Sequence, residues 1–117
     1  MSGYLTTHIL DTAKGRPAEG VSIDLFRLEG DQRIHIKSVN TNSDGRTDAP
    51  ILPEDEFQMG IYELVFNAGD YIMHSTDTTR SELFLDLVPI QFKISTVAHF
   101  HVPLLLSPFG YSTYRGS

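Results

Sequence analysis

The sequence predicts an all-β protein, a β-sandwich carrying one short helix. Three observations lead there. Residues alternate in kind with period two along most of the chain, the signature of half-buried strands. Turn-forming residues fall between these runs at short, regular intervals. The chain has 117 residues, a length that suits two small packed sheets and one domain spanning residues 1–117.

Taken in order, Leu5, Thr7 and Ile9 form the first alternating row, Val21, Ile23 and Leu25 the second, and Ile34 and Ile36 the third. The stretches "AKGRPAEG", "EGD", "NSDGR" and "PED" separate the early runs with Gly, Pro, Asn and Asp. Further strand-like runs cover residues 61–66, 88–94, 100–106 and 110–114. Only residues 67–75 read as helix, with Asp70 early and Tyr71 and His74 three apart. Together these make about eight short strands and one helix, the content of an antiparallel sandwich.

Composition narrows the function classes. The chain is 40% hydrophobic and 21% charged, with no cysteine and a net charge of −6. That is ordinary globular composition. The absence of cysteine excludes disulfides and thiolate metal sites and is compatible with a reducing cytosol. Nine scattered lysines and arginines argue against nucleic-acid binding, which needs clustered cations. No apolar run approaches the length of a membrane span. The start, "MSGYLTTHIL", lacks the pattern of a signal peptide, and the end is not a Ser-Lys-Leu address, so a cytoplasmic location is expected.

Five histidines occur. In "LTTHILD", His8 shares a face with Thr6 and Leu10, opposite the row of Leu5, Thr7 and Ile9. On that pattern alone it is either a solvent-facing residue or a site residue. His99 and His101 share one strand face, a way to present two imidazoles to a metal. No third ligand is evident in the sequence, so no metal or other cofactor is expected. His35 and His74 read as surface residues. Arg46 follows the tight turn Asp44-Gly45. Its planar fork would gain a role only if that turn overhung a pocket.

Three segments carry a resemblance. "LTTHILDTAKGRPAEGV", "TNSDGRT" and "HFHVPLLLSPFGYSTYRGS" resemble, in that order, the 5-hydroxyisourate hydrolases, the purine-catabolic branch of the transthyretin family. The Tyr-Arg-Gly-Ser ending is the most specific of these, because the hormone-carrying branch has different tails. Residues 73–87 match less well, and no site residue is taken from them. The resemblance implies two four-stranded sheets with one short helix, assembled as a homotetramer, a dimer of dimers, whose active sites line a channel where dimers meet. It implies ring-opening hydrolysis of the small molecule 5-hydroxyisourate to 2-oxo-4-hydroxy-4-carboxy-5-ureidoimidazoline during urate degradation.

Among the residues matched, His8, Arg46, His101 and Ser117 are the expected catalytic residues, with His8, Arg46 and Tyr114 contacting substrate. His101 is expected in the water-activating pair, Arg46 on substrate oxygens, and Ser117 as an orienting group. His99 is expected to matter far less than His101. The alternative is a transthyretin-like module that binds a small aromatic ligand without turning it over. No Cys nucleophile and no G-x-S-x-G elbow is present, which favours direct attack by water.

Overall fold

A computed structural model describes residues 2–116. Strands follow one another as β1 (Tyr4–Thr6), β2 (Ile9–Asp11), β3 (Arg16–Pro17), β4 (Ser22–Glu29), β5 (Gln32–Asn40) and β6 (Gly60–Asn67). After helix α1 (Ala68–Ser75) and a single 3₁₀ turn at Arg80–Glu82 come β7 (Leu87–Ile94), β8 (His99–His101), β9 (Leu104–Ser107) and β10 (Gly110–Thr113). One four-stranded sheet has the order β10-β9-β2-β3 and the other β5-β4-β6-β7. β1 and β8 pair separately, in parallel. The sandwich of two four-stranded sheets with one helix is therefore present.

The first two alternating rows point into the core as periodicity placed them, whereas Ile34 and Ile36 of the third stand exposed on the edge strand β5. Leu5 from the β1–β8 pair, Ile9 from β2, and Ile23, Leu25, Leu64 and Phe66 from the β5-β4-β6-β7 sheet are fully buried, and they meet in one core with Leu104 and Leu106. The hairpin of β4 and β5 turns at Gly30, whose φ of 60° is the left-handed conformation a tight hairpin asks for. Helix α1 begins where Asn67 accepts a hydrogen bond from the backbone of Asp70, as an N-cap asparagine does. In the weakly matching segment 73–87, Arg80 ties the 3₁₀ turn to Asp86 at 3.0 Å and reaches Asp70 of the helix.

Two departures from the expected strand list matter for the site. The runs expected around residues 5–9 and 100–106 are each broken in two: Thr7 and His8 separate β1 from β2, and Val102 and Pro103 separate β8 from β9. Proline cannot donate to a ladder, so the break falls at Pro103. The ladder bridges it nonetheless. Val102 N–H donates to the Thr6 carbonyl and Leu104 N–H to the His8 carbonyl, both at 2.9 Å. No helix among the described residues is long and apolar enough to cross a membrane.

Candidate active site

Parallel pairing of β1 with β8 sets Tyr4 opposite His99 and Thr6 opposite His101. Opposed residues of a parallel pair project from the same face, so these four side chains form one patch, and His8, two residues beyond Thr6, extends it. The reverse face carries Leu5, Thr7 and Ile9, all buried. Buried Thr7 donates its hydroxyl proton to the Val102 carbonyl at 2.7 Å, which pins the two strands together at their break.

Arg46 reaches the patch from the turn at residues 42–46. Asn42 Oδ1 accepts from the backbone of Asp44 at 2.9 Å and of Arg46 at 3.2 Å, and the Asn42 N–H donates to the Arg46 carbonyl at 2.7 Å. Gly45 sits at φ 73°, and its carbonyl accepts from Ile9 N–H at 2.8 Å. A Cβ there would lie 2.4 Å from the Ile9 carbonyl oxygen. Only glycine lets the turn lie flat on the β2 backbone beside His8. The result is an open cleft of about 410 Å³ whose walls include Thr6, Arg46, Asp48, Pro50, His99 and His101.

The electrostatics favour neutral imidazoles. Burial, then the Arg46 guanidinium, then His99 and His8 hold His101 below the usual histidine range. His8 is lowered as well, by burial first and Arg46 second, with the Asp44 backbone and carboxylate opposing the shift. Both rings are therefore proton acceptors at neutral pH beside a fixed cation. The structure thus brings His8, Arg46 and His101 into one neighbourhood.

It joins to them Thr6, which sequence reasoning left out, and His99, which was expected to matter far less than His101. The Thr6 hydroxyl lies 2.7 Å from His99 Nε2 and 2.8 Å from His101 Nδ1, and the His99 ring stacks on Tyr4 with centroids 4.2 Å apart. The His-x-His spacing put both imidazoles on one face, but nothing in it indicated a hydroxyl between them. Among the described residues no group of three His, Asp or Glu side chains is placed to hold a metal ion.

Tyr114 stands elsewhere. It is exposed and lines a separate, mainly apolar groove of about 230 Å³ with Phe92, Phe100 and Val102. Beyond it, the Arg115 guanidinium lies over the Phe100 ring, 4.1 Å from its centroid, and Gly116 N–H donates to the His101 carbonyl at 2.7 Å. The end of the chain is thereby laid against the strand that bears His101. Ser117 lies outside the described residues. His35 bonds Asp24 on the exposed face of the second sheet and His74 is exposed on α1, both outside the cleft.

The sequence model described as the HIUase/Transthyretin family matches residues 5–116. The chain belongs to the HIUase/transthyretin family. Within it, the chain is 59% identical over 117 residues to 5-hydroxyisourate hydrolase 2 of Rhizobium meliloti (strain 1021), covering 99% of this chain and 98% of that protein. The fold is similar to that of (S)-allantoin synthase, with TM-score 0.91 and 42% identity, covering 99% of this chain and 44% of that one. This HIUase/transthyretin chain therefore corresponds to less than half of that longer protein. Sea bream transthyretin, solved in complex with thyroxine, is similar with TM-score 0.84 and 28% identity, covering 96% of this chain and 93% of that one.

Proposed function

We propose that this chain hydrolyses 5-hydroxyisourate, opening a cyclic amide by direct attack of water to give 2-oxo-4-hydroxy-4-carboxy-5-ureidoimidazoline. The observation that carries this reading is the convergence of His101 and the Arg46 guanidinium on one open cleft, with His8 close enough to both to share their electrostatics and, like His101, shifted toward the neutral imidazole. Identity of 59% across nearly the whole of both chains, to a protein named for that activity, supports it.

Hydrolysis of an amide needs a base for water, a donor for the oxygen that gains charge, and something to hold the ring. His101 Nε2, with no hydrogen-bond partner among the described residues, accepts the proton; a well-placed base contributes roughly 10²–10⁴-fold. Arg46 holds substrate oxygens through its fork and stabilises the developing oxyanion. His8 contacts the substrate from the adjoining edge. Tyr114, placed in its own groove, would serve as a donor only from a neighbouring subunit. That fits a homotetramer built as a dimer of dimers, in which a cleft is completed across an interface. Ser117 would orient a histidine or the water.

The second reading, a binder of a small aromatic ligand, takes its support from the likeness to a thyroxine-binding transthyretin. One experiment separates the two. Urate and uricase generate 5-hydroxyisourate, and the decay of its ultraviolet absorbance is followed with and without the protein. Catalytic acceleration is expected; a change stoichiometric with the protein would favour the binder.

A further inference from the structure

The catalytic reading leaves the Thr6 hydroxyl without a task, although it sits between His99 Nε2 and His101 Nδ1 at 2.7 and 2.8 Å. A hydroxyl has one proton to donate, so between two neutral imidazoles it accepts from one and donates to the other. The tautomers of the two rings are thereby linked. A proton on His101 Nδ1 makes Thr6 donate to His99 Nε2 and leaves His101 Nε2 as a bare lone pair. The opposite orientation puts the proton on His101 Nε2, where it blocks acceptance from water.

We infer that Thr6 is a positioning residue: its hydroxyl holds His101 with Nδ1 protonated and passes that proton to His99 as His101 Nε2 takes one from the attacking water. This deepens the hydrolase reading and rests on it for the kinetic half. The proton balance is closed. Water gives a proton to His101 Nε2 while its oxygen bonds the amide carbon; the Nδ1 proton moves to Thr6 Oγ1, and the Thr6 proton to His99 Nε2. When the carbon–nitrogen bond breaks, His101 Nε2 protonates the leaving nitrogen and the relay runs backward, restoring both tautomers.

The two rings differ in their contacts. His101 faces Arg46, His8 and His99, which together with burial disfavour its protonation, and Asp48 is the carboxylate in the cleft wall. His99 instead stacks on the Tyr4 ring at 4.2 Å, a face that suits a cation. The one guanidinium bonded to this residue, that of Arg115, reaches its backbone carbonyl at 3.5 Å and lies over Phe100.

The test compares Thr6→Val, which keeps the shape and loses the hydroxyl, with Thr6→Ser, which keeps the hydroxyl. With uricase-generated 5-hydroxyisourate, Thr6→Val is expected to lower kcat about 10–100-fold, as for loss of a hydrogen bond to a group that becomes charged, and to leave KM nearly unchanged. Thr6→Ser recovers most of the rate, and His99→Ala falls with Thr6→Val. In the ligand-free protein at neutral pH, imidazole nitrogen NMR should place the His101 proton on Nδ1 in wild type and Thr6→Ser, and find mixed tautomers in Thr6→Val. Wild-type His101 protonated at Nε2 overturns the inference, and that spectrum needs no variant to fold. So does a Thr6→Val enzyme with wild-type kcat. If wild type fails to accelerate the decay of 5-hydroxyisourate, the hydrolase reading fails instead, and the tautomer spectra still decide what Thr6 does.

Discussion

At the scale of single residues, the proposed site would act through charge. His8→Ala, Arg46→Ala and His101→Ala should each lower turnover by at least about 10², the low end for removing an acid–base or oxyanion partner. Melting temperature should change little, because Arg46 is exposed and both rings are half-buried. Near-normal turnover in two of the three would refute the assignment. A pH series tests the electrostatics separately. His101 and His8 are both shifted downward, so the neutral form persists below the ordinary 6.5 of a histidine and is lost only as pH falls further. The acid limb of kcat/KM should therefore lie below pH 6.5, the ordinary value. Arg46 is a shared cause of both shifts. Replacing it by alanine should move both histidine titrations upward in NMR, and unchanged titrations would remove Arg46 from the account. His8, Arg46 and His101 were legible in the sequence because their motifs resemble a known branch. The Thr6 bridge between His99 and His101 was not, since it depends on a parallel pairing between residues more than ninety positions apart in the chain.

At the scale of elements, alternation located the core rows of β2, β4, β6 and β9 because one face of each strand must be buried while turns need Gly, Asn or Asp. It could not locate β3, a two-residue strand inside a stretch that reads as turn, because its existence depends on pairing with β2. Two glycines show how such local geometry reaches the site. Gly45→Ala sets a Cβ 2.4 Å from the Ile9 carbonyl at a positive φ, so it should cost about 1–3 kcal/mol of stability and displace Arg46 as well. Gly116→Ala meets the His101 ring, 2.7 Å from Cδ2, and no positive φ is involved. It should leave the melting temperature nearly intact and still reduce turnover, by pushing the imidazole aside. Thermal melts paired with kcat distinguish the two, and equal behaviour in both measurements would contradict this picture of the turn and the tail.

At the scale of the whole molecule, the exposed surface bears on the proposed tetramer. Phe84, Phe109, Tyr111 and Tyr114 are 69%, 76%, 44% and 58% exposed, and β10 is an edge strand with an unpaired side. Edges and large apolar residues exposed together call for a covering partner. A second copy of the chain is the partner that would also carry Tyr114 to a histidine cleft it does not reach in its own subunit. Sedimentation should find four copies, and a fully active monomer would refute the shared site. A sharper test uses two impaired variants, His101→Ala and Tyr114→Phe, unfolded together and refolded as a mixture. In a hybrid, a Tyr114→Phe chain still supplies His101, and a His101→Ala chain still supplies Tyr114 to its neighbour. Random assembly makes a given cleft intact about one time in four, so the mixture should regain about a quarter of the wild-type rate while either variant refolded alone stays impaired. Hybrids that form but recover nothing would mean that each cleft is complete within one chain, with Tyr114 held in its groove for packing alone.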